Sequence, residues 1–241
     1  MTGIGKPARK ALTLLKQAGW PSYVVGGCLR DLLMKKRPQD FDLATPALPR
    51  QILSVFNGFP CFRQGEKYGT IGVLIDGEKL EITTFRSDIG YTDSRHPDRV
   101  VFSCNILEDL SRRDFTVNSI ACGLEGNLVD PFCGLSDIKD KILRATGDPK
   151  TRFNEDALRI LRLFRFAAQL GFEIEPYTLD AAILYRARLS AISKERIGAE
   201  FLRLLSYDCA KPLRQMSEND ILGIIGMNQV EETSLIQACP G

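Results

Sequence analysis

The sequence predicts an α+β fold: a head built on a mixed sheet, followed by an all-helical extension. Three observations carry that prediction. Short β-like runs are interspersed with helical stretches ahead of Gly147-Asp148-Pro149, and helical periodicity dominates beyond it. At 241 residues, with 44% hydrophobic and 26% charged content, the chain is long enough for a head with an extension and ordinary for a globular protein. No internal repeat or low-complexity tract suggests a solenoid or a disordered segment.

Taken in order, residues 6–18 place Ala8, Ala11, Leu12 and Leu15 on one helical face and end at Gly19 and Pro21. Strands are expected at 23–25, 41–43, 70–75 and 80–85, and helices at 29–34 and 49–56. The Asp76-Gly77 pair reads as a hairpin turn. Residues 86–99 are polar and lack either period, so a mobile loop is expected there. From Asn105 the pattern turns helical through Arg112-Arg113-Asp114-Phe115 to Ile120. Beyond the Gly-Asp-Pro boundary, helices are expected at 154–170, 176–188 and 194–205, with a weaker one after Pro212.

Bulk properties exclude several classes. A net charge of +2 and a pI near 8.1 are too mild to argue nucleic-acid binding from composition. The N-terminus lacks the basic patch and apolar core of a secretory signal, and no apolar run reaches membrane-spanning length, so a cytoplasmic location and no membrane partner are expected. Seven scattered cysteines without a CxxC pair point to reduced thiols. His96 is the single histidine, which disfavours both a structural zinc site and a Ser-His-Asp triad.

The chemistry-bearing residues start with Asp40-Phe41-Asp42, two carboxylates one residue apart that share one side of a strand. Magnesium takes one or two such ligands and completes its shell with phosphates and water. Alone, the pair is equally a solvent-facing strand edge or an Asx turn. Gly26-Gly27 precedes it with Arg30 just inside a helix, an arrangement that offers backbone N–H groups and a cation to a polyphosphate, or forms a plain tight turn. Glu81 alternates with apolar Leu80 and Ile82 and could support the same metal site. Arg112-Arg113-Asp114 reads either as a charged helix end or, with Phe115, Val117 and Ile120 behind it, as a ligand site. On a helix continuing from Asn154, Asp156, Arg159, Arg162 and Arg165 fall on one slowly turning ribbon opposite Ile160, Leu161, Phe164 and Ala168. That ribbon should line a surface, where Asp and Arg suit the reading of a nucleobase edge.

With these motifs in this order, the chain resembles class II CCA-adding enzymes and bacterial poly(A) polymerases over residues 8–205. The resemblance implies a polymerase-β-like nucleotidyltransferase head at 1–147, a helical neck at 148–210 that recognises the base, and at 211–241 the remnant of a helical body. It implies Mg2+ on Asp40 and Asp42, beside which Glu81, from its strand position, is the third candidate catalytic carboxylate. It implies nucleotide binding by Gly26, Gly27 and Arg30 at the triphosphate, Arg113 and Asp114 at the ribose, and Asp156, Arg159, Arg162 and Arg165 at the base. The partners are then ATP, CTP and a tRNA 3′ end, with CMP and AMP added without a template. The chain lacks the basic segment usual in poly(A) polymerases after the metal motif, which favours tRNA processing, and Asp93 and Arg95 in a full-length loop favour A addition. Poly(A) or A-only addition with the same chemistry, and a catalytically inactive RNA-binding module, are the alternatives. Oligomeric state is not legible.

Overall fold

The computed structural model describes residues 3–89 and 99–227, which divide into two compact units. One comprises the described residues through Ile138 and the other those from Lys139 onward. In chain order the first contains α1 (Lys6–Gln17), β1 (Tyr23–Val25), α2 (Gly27–Leu33), β2 (Phe41–Thr45), α3 (Pro49–Val55), β3 (Cys61–Phe62), β4 (Thr70–Ile75), β5 (Glu78–Thr84), β6 (Arg86–Ile89) and β7 (Arg99–Phe102). It continues with α4 (Ile106–Ser111), β8 (Ala121–Gly123), β9 (Leu128–Val129) and α5 (Gly134–Asp140), near whose end the division falls.

Its seven-stranded sheet runs β3-β4-β5-β2-β1-β8-β9, antiparallel throughout except where β2 lies parallel to β5, so the sheet is mixed. Strand parity decides what faces where. Phe41 and Leu43 of β2, with Leu80 and Ile82 of β5, enter the large apolar cluster that also buries Ala8, Leu12 and Leu15 of α1. Each such leucine or isoleucine contributes about 1.5–3 kcal/mol by leaving water. Asp42 and Ala44 therefore turn to the opposite face, where Ala44 joins a small cluster with Val25, Phe85, Leu110 and Ala121. The register sets Asp42 beside Val25 on one neighbour and Glu81 on the other. Asp76 and Gly77 both take positive φ, 51° and 85°, and close the β4–β5 hairpin as their sequence suggested.

The second unit contains β10 (Ile142–Leu143), α6 (Pro149–Glu155), α7 (Leu158–Leu170), β11 (Glu173–Ile174), α8 (Pro176–Tyr185), α9 (Lys194–Leu204), α10 (Ala210–Glu218) and α11 (Ile221–Ile224). α7 is buried on most sides and packs against α9 and α10. One parallel pair, β10 with β11, interrupts an otherwise helical unit.

Three stretches depart from expectation, each for a local reason. The helix from residue 105 ends at Ser111, because Asp114 Oδ1 accepts from Phe115 N at 2.8 Å and supplies the backbone with a non-helical partner. The long helix from residue 154 is broken in the same way: Asp156 is extended (φ −141°, ψ 104°) and its Oδ1 accepts from Leu158 N at 3.0 Å, separating α6 from α7. The ends of the expected loop at 86–99 pair as the β6–β7 ribbon. Residues 90–98, and with them Asp93, Arg95 and His96, lie outside the described residues. Cys28, Cys61, Cys104, Cys122 and Cys133 are free thiols as expected, whereas Cys209 is in a disulfide. No helix among the described residues is long and apolar enough to cross a membrane.

Candidate active site

Asp42 is the centre of the carboxylate group in the first unit. Burial, then the nearby charge of Asp40, pushes its carboxyl up from 3.8 to about 6; Glu81 adds to the rise and Arg113 opposes it. Asp40 sits exposed just before β2, and Glu81, also exposed, has Lys79 Nζ 3.3 Å from its Oε1. Among the described residues no group of three or more His, Cys, Asp and Glu is arranged to hold a metal. Mg2+ asks for less, one or two carboxylates with the remaining ligands from substrate and water. Arg113 only partly offsets the charge that Asp40 and Glu81 add around this partly buried carboxylate, so the donor set fits a divalent cation.

Beneath this group lies Cys28, whose Sγ accepts from Asp42 N at 3.4 Å and donates to Val25 O at 3.0 Å. Burial pushes its thiol up to about 12, so it packs as an inert neighbour of the carboxylates. Gly26 provides the opening beside them. Its backbone (φ 76°, ψ −147°) is closed to other residues, and a Cβ there would come within 3.1 Å of Arg113 Nη1 and 3.6 Å of Asp42 Oδ2. At Gly27 the same atom would meet only Arg30, at 3.5 Å, an ordinary contact.

Arg113 is aimed by a residue that the motif reading passed over. Asp109, fully buried in α4, accepts from Arg113 Nη2 at 2.9 Å and from Arg112 Nη2 and Nε at 2.7 and 3.1 Å. Burial works to raise its carboxyl, but the Arg113 and Arg112 guanidinium groups overcome that and hold it below the usual range. The spacing of three and four residues was the available signal. Among the described residues Arg113 Nε is buried without a hydrogen-bond partner.

Arg30 lies inside the unit. Only 3% exposed, it donates from Nε and Nη2 to Asp31 Oδ1 and from Nη1 to Asn118 Oδ1. Asn118, from the short 3₁₀ turn Thr116–Asn118, donates in turn to Asp114 Oδ1 at 3.0 Å.

In the second unit the acidic and basic residues form paired sets, and the expected surface ribbon is largely interior. Asp156 Oδ2 accepts from Arg196 of α9 at 3.1 Å. Arg159 donates to Glu155 Oε2 at 2.6 Å and to Arg152 O at 3.1 Å. Arg165 donates to Glu200 Oε2 at 2.6 Å and to Gln169 Oε1 at 2.7 Å, with its guanidinium 3.8 Å from the centre of the Phe166 ring. Arg159 and Arg165 are thus buried, while Arg162 is a third exposed, with Nη1 3.9 Å from Glu200. The break at Asp156 and the need to neutralise Glu200, set among apolar Ile197, Phe201 and Leu204, turn the ribbon inward. A glutamate in that apolar row was the missed signal.

Residues 22–144 match the model of the poly A polymerase head domain, and residues 171–226 the model described as the probable RNA and SrmB-binding site of polymerase A. Among curated relatives, the CCA-adding enzyme of Limosilactobacillus fermentum is 42% identical over 236 residues, 98% of this chain and 55% of the relative. That of Lactobacillus gasseri is 45% identical over 207 residues, 85% of this chain and 52% of the relative. Among solved structures, the Bacillus stearothermophilus CCA-adding enzyme in complex with CTP superposes with a TM-score of 0.86 at 36% identity, covering 97% of this chain and 57% of that one. A tRNA nucleotidyltransferase complexed with a primer tRNA and an incoming ATP analog gives 0.77 at 29% identity, covering 94% and 65%. The chain spans about half the length of the curated relatives it matches.

Proposed function

This chain belongs to the nucleotidyltransferase family of poly A polymerase head domains and CCA-adding enzymes, and we propose that it transfers CMP and AMP from CTP and ATP to tRNA 3′ ends without a template. The observation that carries this reading is the opening at Gly26, where a bare backbone faces the Arg113 guanidinium on one side and the Asp42 carboxylate on the other. Anionic and cationic partners for a metal-bound triphosphate thus meet at one atom-sized gap.

In this reading Asp40 and Asp42 hold Mg2+, with Glu81 supporting them. When bound, the ion would supply positive charge to the attacking 3′-hydroxyl and to the triphosphate oxygens of an in-line displacement that forms the new phosphodiester bond and releases pyrophosphate. Gly26 and Gly27 leave the backbone bare for the triphosphate, while Arg30 beneath Gly27 spends its donors on Asp31 and Asn118. Arg113, held by Asp109, and Asp114 take the ribose. Asp156 and Arg159, each fixed by a charged partner, read the base edge; Arg162 offers a more exposed guanidinium, and Arg165 ties α7 to α9 through Glu200. Fixed Asp and Arg hydrogen bonds let protein do what a template strand does elsewhere. The partition into a catalytic head (1–147), a base-reading neck (148–210) and a body segment (211–241) forms part of the proposal, as does action in the cytoplasm.

The name CCA-adding enzyme carried by the relatives supports tRNA, rather than another RNA, as the substrate in this reading. The test offers the chain tRNA ending at the discriminator base, tRNA ending in CC, and an unstructured RNA, each with CTP or ATP alone. CMP incorporation on the first and AMP on the second support the proposal. AMP tailing of the unstructured RNA alone would make it a poly(A) polymerase, and no incorporation on any substrate would make it a binding module.

A further inference from the structure

Arg30 and Asn118 form a hydrogen-bonded chain whose polarity admits only one arrangement. The Asn118 side chain is 6% exposed and lies between a guanidinium, which can only donate, and a carboxylate, which can only accept. Its Oδ1 must face Arg30 and its Nδ2 must face Asp114. The cation end is itself anchored, because Arg30 spends Nε and Nη2 on Asp31 at 2.9 and 2.7 Å. α2 is thereby joined through one amide to Asp114, which is half-buried and adjoins Arg113. Asp114 Oδ1 accepts twice within this frame, from Asn118 Nδ2 at 3.0 Å and Phe115 N at 2.8 Å, which fixes the carboxylate's rotation as well as its place.

We propose that Arg30 and Asn118 are positioning residues for sugar selection: the relay Asp31–Arg30–Asn118–Asp114 holds the Asp114 carboxylate where it reads the ribose hydroxyls, so that ribonucleotides are bound over 2′-deoxyribonucleotides. The inference rests on the reading that Asp114 takes the ribose. It gives the buried Arg30 a task at the sugar, transmitted through Asn118. A hydrogen bond to a sugar hydroxyl is sensitive to small misplacements of its acceptor, whereas the charge of a triphosphate is met from several sides.

The test measures binding of CTP and of 2′-deoxy-CTP to the 241-residue chain in Mg2+ by titration calorimetry, with circular dichroism as a check of fold. Asn118→Asp preserves size and the acceptor for Arg30 but replaces the donor to Asp114 with a like charge. The expected result is a preference for CTP that falls by about tenfold or more, the size of one lost hydrogen bond to a charged group, while 2′-deoxy-CTP binding changes by less than about threefold. Arg30→Lys, which keeps the charge but cannot bridge Asp31 and Asn118, should move the preference the same way and decides the matter if Asn118→Asp does not fold. Equal weakening of both nucleotides in these variants marks a purely structural role and overturns the proposal. So does an unchanged preference in them while Asp114→Ala abolishes it. A preference that survives Asp114→Ala, or its absence from the unmodified chain, refutes the ribose reading itself and the relay with it.

Discussion

Asp42→Asn should stabilise the metal-free protein at neutral pH while abolishing nucleotide transfer. The carboxyl titrates at 3.8 when unperturbed and near 6 in the fold, raised by burial, by Asp40 and by Glu81 against the opposing Arg113. Below the unfolded value both states are protonated and the group is neutral, so variant and parent should be equally stable. As pH rises toward the folded value the unfolded chain releases its proton freely and the native state resists. Above it the native state carries a charge it disfavours. The gap from 3.8 to about 6 corresponds to about 3 kcal/mol, at about 1.4 kcal/mol per tenfold change. Urea unfolding in EDTA from roughly pH 3 to 8 (conditions spanning both values) should show Asn gaining almost nothing at the acid end and about 3 kcal/mol at the other. A pH-independent difference, or a variant less stable at high pH, would refute the argument that crowded negative charge defines this site.

Three further outcomes follow from the packing. Asp109→Ala leaves Arg112 and Arg113 without their shared buried partner and should cost about 3–5 kcal/mol in chemical denaturation, with nucleotide binding lost as Arg113 is released. Gly26→Ala places a methyl 3.1 Å from Arg113 Nη1 in a backbone conformation reserved for glycine; about 1–3 kcal/mol of strain and a loss of CTP affinity in calorimetry are expected, whereas Gly27→Ala, which has room, should be much milder. Asp156→Ala removes one ion-pair partner of Arg196 and the local bond to Leu158 N; the ratio of CTP to ATP incorporation should change by tenfold or more, and an unchanged ratio would take Asp156 out of base selection.

The elements built on periodicity were legible. The strand 23–25 and the strand 70–75 fall where their β-like runs put them, and the α1 face of Ala8, Ala11, Leu12 and Leu15 is the buried one. Parity along β2 and β5 likewise placed Asp42 and Glu81 side by side, because apolar neighbours fix the register of a half-buried strand. What escaped were the points where an aspartate side chain takes a backbone N–H from the helix. At Asp114 and at Asp156 helical periodicity continues across a real break. Partners distant in sequence escaped as well. Nothing near Arg30 announces Asn118, and nothing near Arg165 announces Glu200; only folding brings 88 and 35 residues of separation to hydrogen-bond distance. The arginines read as a surface are therefore mostly interior: Arg162 and Arg165 share Glu200, which only the tertiary structure supplies, while Arg159 takes the sequence-local Glu155.

The central claim is that Asp40 and Asp42 drive nucleotide transfer. Incorporation of CMP into tRNA lacking its 3′ terminus should be seen with the unmodified chain in Mg2+ and should vanish in the Asp40→Ala, Asp42→Ala double variant, whose circular dichroism and melting remain those of a folded protein. Transfer that persists in that folded double variant would contradict the account.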